Sequence, residues 1–203
     1  MKLSKEFFIR GPVTQIAREL LGKIIFTHFD NELTAGIINE TEAYAGAIDR
    51  ASHAYNNRRT SRTETMYKDG GIAYIYLCYG MHHLFNFVTH KKNIPEAVLL
   101  RGIYPFEGLK TMEVRRTMKF RIKGFTDGPG KVSQALGLSI NNNGEVIPGN
   151  RIWVEDRGII VNESDIVISP RIGVDYAKED ALLPYRYLLK NDSIKKSPTG
   201  AGL

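Results

Sequence analysis

Apolar and polar residues along the chain alternate with two different periods, and each stretch of periodicity marks an element. In residues 12–22, Ile16, Leu20 and Leu21 share one helical face. Pro12 suits the start and Gly22 the end, so a short helix is predicted there. Residues 23–29 and 34–42 read as strands, and the polar Asp30-Asn31-Glu32 between them predicts a hairpin. The pattern then stops. Residues 46–66 keep no period and are rich in Arg, Asn, Ser and Thr, which suits a functional loop better than a core element. From Gly71 a strand alternation returns. Ile72, Tyr74, Tyr76 and Cys78 face one way, and Ala73, Ile75, Leu77 and Tyr79 the other. Tyr79-Gly80-Met81-His82 turns the chain into a second strand through Leu84, Asn86 and Val88. Another strand is predicted over residues 97–104. Residues 105–121 and 131–138 read as helices, and 152–155, 158–161 and 166–169 as short late strands. Strands with antiparallel hairpins and interspersed helices predict an α+β class rather than a repeating βαβ protein.

Length and composition place these elements in one compact domain over residues 1–203, with a loose tail after about residue 192. The apolar runs, such as Ile24-Ile25-Phe26 and Ala97-Val98-Leu99-Leu100, are short, far below the ~20 residues that a membrane span requires. The first residues, Met-Lys-Leu-Ser-Lys-Glu, carry no apolar signal core. One cysteine, Cys78, can form no internal disulfide, so a reducing, cytoplasmic setting is expected. The five histidines show no metal-ligand spacing, and no metal or other cofactor is predicted. The net charge of +6 is a weak pointer to a polyanion. It is concentrated: Lys110, Arg115, Arg116, Lys119, Arg121 and Lys123 face only Glu113, and Arg58, Arg59, Arg62 and Lys68 face only Glu64. A basic face that grips phosphates without reading sequence is the expectation.

Five features could carry chemistry. Glu40 and Glu42 lie two apart on a strand and point the same way as Tyr44. By pattern alone, solvated glutamates are favoured over a catalytic pair. Tyr74, Tyr76 and Tyr79 read first as core, but polar-tipped rings ending at a Gly turn can also stack on nucleobases, at about 1–3 kcal/mol per base. Asn86 is polar on an apolar face and needs partners; it either caps a loop or lines a pocket. Arg101 ends the run Ala97-Val98-Leu99-Leu100 and should pair with a carboxylate, for structure or for catalysis alike. Asp127-Gly128-Pro129-Gly130-Lys131-Val132 fails as a nucleotide-hydrolase loop, because Phe125 and Val132 stand where that motif needs Gly and Ser/Thr. It can still offer backbone N–H groups to one phosphate. Cys78 reads as an inert buried thiol.

Taken in order, Glu40-Thr41-Glu42-Ala43-Tyr44-Ala45-Gly46, Ala51-Ser52-His53, residues 62–66, the run from Tyr74 to Met81 with Asn86, Val98-Leu99-Leu100-Arg101 and Gly128-Pro129-Gly130-Lys131 resemble the 3-methyladenine DNA glycosylase family of the alkyladenine type. The likeness runs from about Gln15 to Leu188 and takes in residues 170–174 and 184–187. It implies a curved, mixed but largely antiparallel sheet with a protruding hairpin, resembling the C-terminal domain of formyltransferases. It implies excision of alkylated purines flipped out of double-stranded DNA, with no obligate protein partner. A monomer is expected, because DNA must reach one side of the protein. By resemblance Glu42 activates a water and Arg101 orients it. Tyr44 and His53 stack on one face of the base and Tyr76 on the other, while Asn86 crowds the amine of normal guanine. Tyr79 enters the minor groove as a wedge, and Met81, Arg58, Arg59, Arg62 and Lys131 contact DNA. A non-catalytic nucleic-acid-binding module that stacks bases on tyrosines is the competing reading. It would not need Glu42 and Arg101 beside a base-sized cavity.

Overall fold

The computed structural model describes residues 1–190; the predicted loose tail lies outside them. Eight strands form a sheet in the order β3-β4-β5-β2-β1-β6, with a β7–β8 ribbon attached to β2. The strands are β1 (Ile24–Phe29), β2 (Glu32–Tyr44), β3 (Ala73–Cys78), β4 (His82–Thr89), β5 (Glu96–Glu107), β6 (Ile152–Glu155), β7 (Ile166–Ser169) and β8 (Arg186–Leu189). The α+β class is as expected, but every strand pairing among the described residues is antiparallel, so the sheet is not mixed.

The thirteen-residue β2 is the spine. On one side it pairs with β5 from Ala35 to Tyr44. On the other it pairs with β1 as far as Ile37 and then with β8 at Glu40–Glu42. Register shifts beside Gly36 and Glu40 bend the strand, and the sheet curls into a half-barrel. The helices α1 (Lys5–Phe8), α2 (Val13–Glu19), α3 (Leu109–Arg116) and α4 (Pro129–Leu136) complete the fold. α2 and α4 pack on the sheet, and α3 packs on α4. The main core gathers Phe8, Ile16, Ile25, Phe85, Leu100 and Leu136, all fully or almost fully buried. Burying side chains of this size contributes roughly 1.5–3 kcal/mol each. Among the described residues no helix is long and apolar enough to cross a membrane.

Alternation on β3 decides where the second cluster forms. Ala73 and Ile75 enter the main core, while Tyr74 and Tyr76 pack with Met66, Tyr67, Val88 and Ala97 on the opposite face. Residues 46–66 contain three short 3-10 turns and cover that face rather than forming sheet.

Four elements differ from expectation. The helix predicted over 105–121 is only eight residues long. β5 continues through Pro105, which sits opposite Gly36 at a bulge, and Thr117, with φ of 52°, stops α3. Residues 158–161 pair with no strand, although Ile159 is buried. β8 was not expected at all. The helix near 131 starts two residues early, on Pro129 at its first turn.

Candidate active site

Where β2 passes between β5 and β8, its two glutamates are buried, against the pattern-based expectation. Glu40 is 7% exposed and Glu42 0%. Carboxylates are kept there only when cations and donors satisfy them. Arg101 of β5 supplies its Nε to Glu40 Oε1 at 3.0 Å and lies 3.4 Å from Glu42 Oε1. Arg186 of β8 supplies its Nε to the same Glu40 oxygen at 2.6 Å. Two guanidinium groups thus balance two carboxylates.

Glu42 has further partners. Its Oε1 accepts the Ile172 backbone N–H at 2.8 Å, and its Oε2 accepts the Tyr44 hydroxyl at 2.8 Å. A carboxylate has about four acceptor positions. With Arg101, Ile172 and Tyr44 in place, one acceptor position is unused. Burial pushes the Glu42 carboxyl above its usual range, outweighing Arg101 and the two hydrogen bonds. Burial and the neighbouring Glu42 likewise hold the Tyr44 hydroxyl firmly protonated.

In front of this cluster lies a cleft of about 530 Å³. Tyr44, His53, Tyr76, Asn86 and Arg101 all line it, with Tyr79, Lys131 and the start of α4 among its other wall residues. Of the six residues to which the resemblance gives the water and the base (Glu42, Arg101, Tyr44, His53, Tyr76 and Asn86), five share this cavity. Glu42 does not reach the wall; it stands one contact behind it, touching Tyr44, Arg101 and Ile172, which do.

The aromatic side is held edge to face. His53 meets Tyr76 with ring centroids 4.6 Å apart and planes at 77°. Its Nδ1 shares a hydrogen bond of 2.9 Å with the Tyr74 hydroxyl, and its Nε2 is 3.5 Å from Arg62 Nη2. Burial, then the charges of Arg62 and Arg58, push the His53 pKa down to about 4. The imidazole is therefore neutral at ordinary pH. Burial raises Tyr74 to about 12. Asn86 is 4% exposed and donates Nδ2 to the Tyr74 carbonyl at 3.1 Å and to the Leu84 carbonyl at 3.3 Å. It therefore lines a pocket and does not cap a loop; both amide hydrogens are committed, so it forms a fixed part of the wall.

The rim carries the remaining candidates. Tyr79 stands at the hairpin tip, 89% exposed with φ of 50°, and Gly80 follows with φ of 71°. Positive φ at both positions is the primed-turn pattern of tight hairpins. Met81 beside them is also exposed but is not a wall residue. Arg62 lies over the Tyr76 ring, 5.0 Å from its centroid. Lys131 lines the cleft and pairs with Asp127 at 2.8 Å. Arg58 is exposed near the mouth but lines nothing. Arg59 is turned to Glu64, Asn93 and the Tyr67 ring.

The basic cluster near α3 is partly committed within the protein. Arg115 donates to Thr34 Oγ1 and the Ala135 carbonyl, Arg116 to the Phe125 carbonyl, and Lys119 pairs with Glu113. Lys110, Arg121 and Lys123 stay exposed. Cys78 is not the buried thiol expected; it is half-buried and lines the cleft. Sequence reasoning missed Arg186 and the Ile172 N–H, and a backbone donor leaves no mark in residue type. Among the described residues no group of three His, Cys, Asp or Glu is placed to hold a metal.

The sequence has relatives among known proteins. A family model described as methylpurine-DNA glycosylase matches residues 6–193. A protein of Chlamydia abortus, named "Putative 3-methyladenine DNA glycosylase", is 47% identical over 188 residues, covering 92% of this chain and 97% of its own. Proteins of the same name from Clostridium perfringens (42% identical, covering 95% of this chain and 97% of their own) and Bacillus cytotoxicus (37%, covering 91% and 95%) are also similar.

Proposed function

The chain belongs to the methylpurine-DNA glycosylase family, and on that premise we propose that it excises alkylated purines from duplex DNA by hydrolysing the N-glycosidic bond, leaving an abasic site. The observation that carries the reading is the buried Glu42–Arg101 pair at the back of a tyrosine- and histidine-walled cleft.

The target bond lies inside the helix, so the nucleotide must first leave the stack, at a cost of a few kcal/mol. Tyr79, exposed on a hairpin tip, fills the vacated space. A bulky residue in the left-handed region costs about 1–2 kcal/mol, so the turn holds this ring outward at some expense. Arg58, Arg62, Lys131, Met81 and the α4 N-terminus meet the backbone around it; Arg59 must first leave Glu64 to join them. The flipped base enters between Tyr44 with His53 and Tyr76. Electron-rich rings attract a cationic purine, and a neutral His53 does not repel it. Asn86, held by two hydrogen bonds, excludes the exocyclic amine of normal guanine.

A water at the remaining acceptor position of Glu42 gives up its proton and attacks C1′. From one contact behind the wall, the carboxylate also stabilises the positive charge that develops on the sugar. A raised carboxyl pKa improves it as a base. Arg101 keeps Glu42 ionised and points it. Among the described residues no lysine stands beside Glu42 to act as an amine nucleophile, which supports reading the reaction as a hydrolysis rather than a lyase step. 3-methyladenine is cationic while attached and leaves as a neutral base, so it fits best; 7-methylguanine shares the charge but keeps guanine's amine and must overcome the contact with Asn86. Hypoxanthine and ethenoadenine are neutral and need a proton, which His53 with its pKa near 4 does not supply at neutrality. The same reading carries the expectation of a monomer acting on chromosomal DNA within the cell, built on the formyltransferase C-terminal-domain-like plan.

The test is incubation with methylated duplex DNA. Release of free 3-methyladenine, with matching abasic sites, supports the reading. Tight binding without release would favour the stacking module instead.

A further inference from the structure

One buried ion pair lies behind the site and touches neither the cleft nor the proposed reacting atoms. The side chains of Arg171 and Asp49 are 0% and 1% exposed. Arg171 Nη2 donates to Asp49 Oδ1 at 2.9 Å, and Nη1 donates to Asp49 Oδ2. The same guanidinium donates to the Ala43 carbonyl at 2.9 Å and the Asp180 carbonyl at 3.1 Å. Asp49 in turn accepts the N–H groups of Ala45 and Ala51, at 2.9 and 3.0 Å.

These partners are the backbone of the site. Ala43 separates Glu42 from Tyr44. Ala45, Asp49 and Ala51 form the turn that leads to His53. Ile172, the neighbour of Arg171, is the residue whose N–H meets Glu42. The guanidinium carbon also lies 4.8 Å from the centre of the Tyr44 ring. Three separate segments are thus tied to one planar fork.

A buried ion pair is weak evidence of stability, because desolvation offsets much of the attraction. What a bidentate Arg–carboxylate pair supplies is direction. We propose that Asp49 and Arg171 are positioning residues that hold the Ile172 N–H on Glu42 and the Tyr44 ring at the cleft, and so set how readily Glu42 gives and takes a proton. This rests on the glycosylase reading for its consequence in catalysis, but not for its effect on Glu42.

Arg171→Lys keeps the charge and removes the fork. Loss of the Ile172 donor leaves the ionised carboxylate less satisfied, so the Glu42 titration moves up. The readout is an NMR titration of ¹³C-labelled glutamate carboxyls, with Glu42 assigned by its disappearance in Glu42→Gln. An upward move of about half a pH unit or more is expected. Single-turnover excision should fall about ten- to hundred-fold, while affinity for DNA holding an abasic analogue stays within about threefold. In a Glu42→Gln background the same change should cost nothing further.

Asp49→Asn is the second variant. It leaves an unpaired cation near Glu42, so the titration should move down. Opposite movements in the two variants are a signature that plain destabilisation does not give. An unchanged Glu42 titration in folded Arg171→Lys or Asp49→Asn protein overturns the proposal, as does an undiminished loss in the Glu42→Gln background. A wild-type protein that releases no methylated base would overturn the glycosylase reading alone, because the titration stands without activity.

Discussion

Lowering the pH from neutrality to about 4 should cost this protein stability through a single histidine, and the structure sets the size of the effect. His53 is held neutral by burial and by Arg62 and Arg58, with its pKa moved from 6.5 to about 4. In the unfolded chain the same imidazole titrates near 6.5. Between those two values the unfolded state binds a proton that the folded state refuses. Stability therefore falls as the pH drops through this window, and the contribution levels off below about 4. The full displacement corresponds to about 3 kcal/mol. The two arginines are exposed and can swing away, so about 1–2 kcal/mol is the expected loss. Urea unfolding of the wild type and His53→Gln at steps across this range measures it. Both proteins share the acid sensitivity of their carboxylates, and the difference between the curves isolates His53. Superimposable curves, or an NMR titration of His53 near 6.5, would refute the reasoning. The result bears on function, because a charged imidazole would repel the cationic base the cleft is proposed to hold.

Two further predictions separate function from folding. Tyr79→Gly removes the ring and relieves the left-handed backbone, so stability should hold or rise by up to about 1 kcal/mol. Affinity for duplex DNA carrying an abasic analogue should still drop at least tenfold by gel shift, and unchanged affinity would remove the wedge role. Asn86→Ser loses the two bonds to the Tyr74 and Leu84 carbonyls, at about 1–3 kcal/mol of stability. It should raise the release of guanine from undamaged DNA; guanine release equal to the wild type's would show that Asn86 is not the gate.

How much the sequence revealed depended on how local each feature is. The alternation along β3 and β4 was readable because each strand keeps one face in the main core and turns Tyr74, Tyr76 and Asn86 to the other. Pro105 misled, because a proline before a run of cations reads as a helix start. In the fold it sits opposite Gly36 at a bulge, where the missing N–H is tolerated and where a Cβ on residue 36 would lie 2.5 Å from Ile103 Cδ1. The burial of Glu40 and Glu42 was invisible to pattern, since it depends on Arg101 and on Arg186 of β8, some 60 and 146 positions away from Glu40. Ile159 and Ile160 alternate like a strand, one buried in the core and one exposed, but pair with no strand among the described residues. The roles proposed for the site came from the family resemblance, and what the fold adds is their meeting in one cleft, with Glu42 one contact behind its wall.

The central claim is that Glu42 activates the attacking water, and Glu42→Gln tests it most directly. Glutamine matches the side chain in shape but cannot take the proton. Excision of 3-methyladenine should fall by about 10²–10⁴-fold in single-turnover assays, while binding to duplex DNA containing an abasic analogue stays near the wild-type value. Excision within a few-fold of wild type at undiminished binding would contradict the account.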